Sequence, residues 1–231
     1  MELTAAVGDR SNYLFLGEAG CGKSEIAVNL ALALAAEGKK PVHFFDLDMT
    51  KPLFRSRDIA QMLTDAGVAV HFEEQFMDAP TLVGGPSVLL RDESCYTILD
   101  AGGDYIGAWA VGVYAPLLQS SDTAALYVVN SFRPWSTELK HIDGVLSQVL
   151  GAAHLPLEKL TFVGNPNLGV ATTEADVREG LQRLRDTLGA CVPIPFACVR
   201  SELWPMEDPE TPLAPIRLYF TYPWEQTEQT I

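Results

Sequence analysis

The chain has 231 residues, 48% of them hydrophobic, and carries 30 acidic side chains against 16 basic ones, a net charge of −14. That length and apolar content suffice for one large α/β domain or two small ones. The acidic excess opposes nonspecific binding to nucleic acid or to an anionic membrane, and Lys39-Lys40 is too short a run to make a basic patch.

Met1 to Arg10 lacks the apolar core of a signal peptide, and no apolar run reaches the ~18 residues that a membrane span needs. The four cysteines, Cys21, Cys95, Cys191 and Cys198, show neither C-x-x-C nor C-x-C spacing and read as reduced thiols. The expectation is a cytoplasmic protein with no nucleic-acid or membrane partner.

The first apolar run, Tyr13-Leu14-Phe15-Leu16, reads as a buried strand. Gly17-Glu18-Ala19-Gly20-Cys21-Gly22-Lys23-Ser24 comes directly after it and fits G-x-x-x-x-G-K-[ST], and an Ala/Leu-rich helical run, Glu25 to Glu37, comes next. Strand, glycine turn and helix are the context of a phosphate-binding P-loop. The glycines let the backbone wrap closely around phosphate oxygens, and the loop N–H groups and the positive helix end face them. Lys23 is expected to reach the β- and γ-phosphates and the Ser24 hydroxyl to ligate Mg²⁺. The nucleotide-contacting set is Gly17 to Ser24 with Glu25.

Gly38 stops that helix, and Pro41 to Asp46 reads as a buried strand ending in carboxylates. Asp46-Leu47-Asp48-Met49-Thr50-Lys51-Pro52 forms a loop. Ile59, Met62, Leu63 and Ala66 recur at helical spacing, Val68 to Phe72 is a strand, and Glu73 to Pro86 is irregular. Tyr96 to Asp100 is a strand, followed by Ala101-Gly102-Gly103-Asp104 and by a helix over Ile106 to Leu118. Ala124 to Asn130 is a strand; Ser136 is expected to cap a helix carrying Leu139, Ile142, Leu146, Val149 and Leu150. Leu160 to Val163 is a strand ending at Gly164-Asn165, and Thr173 with Asp176 gives a capping-box signal. Pro193 to Val199 reads as the last strand.

Strands alternating with helices argue for an α/β fold: a doubly wound, mostly parallel sheet with helices on both faces. Ligands of such sheets sit at the carboxyl ends of the strands. Ser24, Asp48, Asp100, Asn130 and Asn165 all fall at that edge. The expected division is a nucleotide-binding domain over residues 1–200 and a C-terminal arm over 201–231, packed on the domain or on a partner. The arm holds Leu218-Tyr219-Phe220-Thr221-Tyr222-Pro223-Trp224.

A Mg²⁺-bound nucleoside triphosphate needs carboxylates beside its γ-phosphate. Asp100 closes an apolar strand, as a Walker B aspartate does, and Asp100-Ala101-Gly102-Gly103 has the D-x-x-G form of a loop that senses a γ-phosphate through a glycine N–H. Asp46 and Asp48 end the second strand.

With these residues the chain resembles the MinD/ParA/ArsA group of P-loop ATPases, within the SIMIBI class. The resemblance rests on the P-loop, Phe44-Phe45-Asp46-Leu47-Asp48, Ile98-Leu99-Asp100-Ala101-Gly102-Gly103 and Val163-Gly164-Asn165, and spans residues 12 to about 199. It implies ATP bound as Mg·ATP, two subunits facing each other across the nucleotides, and a protein partner or client. It implies Ser24, Asp100, Asp46 and Asp48 around Mg²⁺, Lys23 and Asp48 as catalytic groups with Asp48 positioning the attacking water, Gly103 as γ-phosphate sensor, Asn165 on adenine, and the segment at Pro195 lining the base. Many members carry a signature lysine after the first loop glycine; here Glu18 stands there. No N-K-x-D motif marks a guanine site.

The residues fit three readings: a slow, partner-regulated ATPase switch; a small-molecule kinase or an amide or ring synthase of dethiobiotin-synthetase type, with Arg55, Arg57 or Arg133 clamping an acceptor carboxylate; and a module that holds ATP without hydrolysing it.

Overall fold

A computed structural model describes residues 1–48, 59–71 and 85–220. Met49 to Pro52 of the first expected switch loop, Arg55, Arg57, most of the irregular stretch before Pro86, and Thr221 to Trp224 lie outside the described residues.

Among the described residues eight strands form one sheet: β1 (Asn12–Gly17), β2 (Val42–Asp46), β3 (Val68–His71), β4 (Tyr96–Asp100), β5 (Thr123–Val129), β6 (Leu160–Gly164), β7 (Phe196–Arg200) and β8 (Leu213–Ile216). Their order is β3-β2-β4-β1-β5-β6-β7-β8, and every neighbouring pair is parallel. The helices are α1 (Leu3–Val7), α2 (Lys23–Glu37), α3 (Ala60–Asp65), α4 (Pro86–Leu89), α5 (Tyr105–Gly112), α6 (Ala115–Leu118), α7 (Leu139–Ala153) and α8 (Glu174–Leu188).

Strand side chains alternate between faces, and here both faces are covered. Tyr13 and Phe15 of β1 enter one apolar cluster with Ile26, Leu30 and Leu34 of α2. Leu14 and Leu16 enter the other with Val111 of α5 and Ile142 and Val149 of α7. β4 divides likewise, Ile98 to the first cluster and Leu99 to the second. The continuous apolar runs of the sequence are thus strands buried on both sides.

Three details depart from the sequence expectations. The helix expected over Ile106 to Leu118 is two, α5 and α6, with Pro116 in the first turn of α6; proline has no N–H to extend the preceding helix. Ser136 does not cap α7: it closes a 3-10 turn, Pro134–Ser136, and α7 begins at Leu139. An eighth strand, β8, comes after β7. Its Pro215 obscures the strand pattern, yet the strand is outermost, where a missing N–H is tolerated. The Thr173/Asp176 capping box does form at the start of α8.

Candidate functional site

β1 lies between β4 and β5 at the middle of the sheet, and the loop from its carboxyl end runs straight into α2. Gly17, Gly20 and Gly22 hold φ of 142°, 75° and 93°, in the region that disfavours side chains. A β-carbon on Gly17 would lie 2.5 Å from the Val128 carbonyl oxygen, so the strand-to-loop exit is closed to any larger residue. Gly22 caps α2, and the 15-residue helix aims its amino end at the loop. Lys23 is only 1% exposed.

The carboxylates gather at the same edge. Asp46 lies level with Asp100 across β2 and β4, and Asp100 level with Phe15 of β1. Asp46, Asp48 and Asp100 are all buried. The Asp48 N–H donates to Asp46 Oδ1 at 3.0 Å, and the Leu47 N–H to the Asp100 carbonyl at 2.9 Å. A β-carbon on Gly102 would sit 3.2 Å from Asp48 Oδ1; one on Gly103 would sit 2.6 Å from Ala19 Cα and 2.9 Å from Lys23 Nζ. The Ala101–Asp104 loop therefore touches the P-loop on one side and Asp48 on the other. Asp104 fastens its far end by accepting the Gly107 N–H at 2.9 Å.

A cleft opens beside the loop, lined by Gly20, Gly22, Glu25, Arg133, Asn165 and Leu218 among others. Asn165 Nδ2 donates to the Cys21 carbonyl at 2.7 Å, while its buried Oδ1 has no hydrogen-bond partner among the described residues. Arg133 Nε donates to the Gly20 carbonyl at 2.7 Å. Pro195 is exposed, precedes β7 and is not among the lining residues; Ile216 and Leu218, at the end of β8 and beyond it, are.

Glu25 stands in the first turn of α2. Its carboxylate accepts the Tyr219 N–H at 2.9 and 3.1 Å and the Phe220 N–H at 2.9 Å, fastening the segment after β8 to α2. Asn29, one turn on, brackets Arg217, accepting its N–H and donating to its carbonyl, both at 2.8 Å. Glu18 is 7% exposed, and its Oε2 accepts the Ser136 hydroxyl at 2.8 Å. Beneath the loop, burial pushes the Tyr127 phenol well above its usual range, with Cys21 and Glu18 adding to it. Burial likewise raises the Cys198 thiol.

Ser24 with Asp100 and Asp46 supplies hard oxygen donors suited to Mg²⁺, which ordinarily takes one or two carboxylates and completes its shell with phosphate oxygens and water. Among the described residues no group of three or more His, Cys, Asp and Glu forms a metal cage by itself. No described helix is long and apolar enough to cross a membrane.

The parallel sheet and the glycine loop entering α2 define an α/β P-loop nucleotide-binding fold. No protein-family model and no curated protein matches the sequence. Among solved structures, the chain is similar to the signal recognition particle receptor FtsY from Elizabethkingia anophelis in complex with GDP (14% identity, 83% of this chain and 57% of that one, TM-score 0.48). Chloroplast FtsY from Physcomitrella patens gives 14%, 85%, 61% and 0.49 in the same order. FlhF complexed with GMPPNP and Mg²⁺ gives 11%, 74%, 61% and 0.43. The chain thus spans 57% to 61% of the length of these neighbours, and the likeness is one of fold.

Proposed function

We propose that the chain binds Mg·ATP and works as a slow, partner-regulated ATPase switch of the MinD/ParA type, as a homodimer. The observation that supports this is the meeting of three parts at one sheet edge: Lys23 in its glycine loop, Gly103 packed on Ala19 and Lys23, and the buried Asp46, Asp48 and Asp100. The loop N–H groups and the amino end of α2 would face the phosphates, and Lys23 would neutralise charge on the β- and γ-phosphates. Ser24, Asp100 and Asp46 would hold Mg²⁺, which when bound neutralises charge on the bridged phosphates. Asp48 would orient the attacking water. Gly103, already against the P-loop, would report the γ-phosphate through its N–H. Asn165 Oδ1, an acceptor whose amide partner nitrogen is engaged by Cys21, suits a donor such as the adenine amino group.

Nothing in this arrangement brings a second cation from Glu18, so turnover without a partner should be slow. Equilibrium binding and phosphate release test the reading together. Lys23→Ala should lose ATP affinity, Asp48→Ala should bind ATP and release no phosphate, and GTP should bind more weakly than ATP. Partner-free turnover at the roughly 1–100 s⁻¹ of kinases would overturn the switch. The inward-turned Glu18 favours a second reading, an ATP-holding module; ATP retained for hours without phosphate release by the native chain would establish it.

A further inference from the structure

We infer that Arg133 is a second cation, beside Lys23, that this chain places on the diphosphate of its nucleotide, from its own β5–α7 connection. The inference rests on the nucleotide-binding reading above and adds to it a phosphate-binding residue.

The connection after β5 grips the P-loop at two points. Ser136 donates its hydroxyl to Glu18 at 2.8 Å, and Arg133 donates Nε–H to the Gly20 carbonyl at 2.7 Å. The first contact turns the Glu18 carboxylate inward, where it is 7% exposed. The second lays the guanidinium along the loop: a β-carbon on Gly20 would lie 3.5 Å from Arg133 Cζ and 3.7 Å from its Nη2. The backbone fixes this placement from behind, since the Arg133 N–H donates to the Asn130 carbonyl at 2.9 Å.

Only Nε is engaged. The terminal nitrogens of Arg133 have no hydrogen-bond or ion-pair partner among the described residues, although the chain carries nearly twice as many acids as bases. The acids of the P-loop and of the first turn of α2 are engaged with other groups, Glu18 with the Ser136 hydroxyl and Glu25 with the N–H groups of Tyr219 and Phe220. Arg133 therefore lines the cleft as a half-buried cation with its donors directed to no protein acid. Gly20 and Gly22 belong to the stretch of a P-loop that cradles the α- and β-phosphates. A guanidinium fixed to Gly20 can present its planar donors to those oxygens, the geometry in which arginine binds phosphate best. In a loose phosphoryl-transfer transition state, charge also grows on the leaving β-phosphate, so the same contact would favour hydrolysis.

The experiment is calorimetric titration of the native chain, Arg133→Ala and Arg133→Lys with ADP, inorganic diphosphate and adenosine. Loss of a charge-assisted pair of hydrogen bonds should weaken ADP and diphosphate at least about tenfold in Arg133→Ala and leave adenosine within twofold. Arg133→Lys should recover part of the loss, as a point charge without the planar fork. Equal loss for all three ligands would assign Arg133 to holding the loop's shape and overturn the inference; so would an unchanged ADP affinity. A thermal melt of each variant separates unfolding from lost contact, because an unfolded Arg133→Ala protein leaves Arg133→Lys to decide. If the native chain binds neither ADP nor diphosphate, the nucleotide-binding reading itself fails.

Discussion

Gly103 marks the point where two loops of the site depend on a missing side chain. Its would-be β-carbon meets Ala19 Cα and N at 2.6 Å and Lys23 Nζ at 2.9 Å. Backbone cannot give way as the end of a flexible side chain can, so Gly103→Ala should push the Ala101–Asp104 loop off the P-loop. The loop is anchored separately by Asp104, and most of the apolar core lies elsewhere. The expected outcome is a melting temperature within about 4 °C of native, roughly the effect of 1 kcal/mol in a chain of this size, with phosphate release reduced at least about tenfold. Native phosphate release by Gly103→Ala would show that the two loops need not touch. Such a residue is legible in sequence, because D-x-x-G after a buried strand states its own context. The contacts of Arg133 and Ser136 with the P-loop are not. Their partners, Gly20 and Glu18, stand more than 110 positions away, and nothing local distinguishes an arginine that holds a carbonyl from one on a solvated turn.

Among the elements, β2 and β3 form the end of the sheet away from β8, and a histidine pair links them. His43 Nδ1 and His71 Nε2 are 3.0 Å apart, and the His71 ring stacks on Phe45 with centroids 4.4 Å apart. Burial lowers both imidazoles; Asp92 partly offsets this for His43, and His43 adds to it for His71. One ring must also accept where the other donates, which two protonated rings cannot do. Between the lowered folded values and the ordinary value near 6.5, the unfolded chain holds more protons. Stability is therefore complete above about pH 6.5 and falls as pH drops through that window. Ordinary carboxylates, near pH 4, do not titrate there. Thermal melts at pH 7.5 and 6.0 should show a lower transition at pH 6.0, and His71→Gln should shrink the difference. The same difference in both proteins would assign the effect to other groups. The strands here were readable because burial on both faces writes itself as apolar runs. The split between α5 and α6 and the strand β8 were not, since each turns on a proline whose effect depends on its neighbours: Pro116 interrupts a helix, while Pro215 is harmless on an outermost strand.

At the scale of the whole molecule, the C-terminal segment after Arg200 is built into the sheet and the α2 core rather than laid over them. β8 extends the sheet beyond β7, with Leu213, Ala214 and Ile216 buried. The Met1 amine donates to the Leu213 carbonyl at 2.7 Å and ties the first residues to β8. Arg185 of α8 pairs with Asp208 at 3.0 Å, and Phe220 enters the α2 cluster. Truncation after Arg200 would expose the edge of β7 and leave Glu25 without the Tyr219 and Phe220 donors. Three large apolar side chains at about 1.5–3 kcal/mol each already approach the roughly 5–15 kcal/mol that holds a whole domain folded. The expected result is that the 1–200 fragment shows no cooperative thermal transition by circular dichroism. Glu25→Gln, which keeps β8 and loosens only the segment after it, should retain a cooperative transition at a lower temperature. A 1–200 fragment that melts cooperatively within a few degrees of the full chain would make the C-terminal segment an accessory.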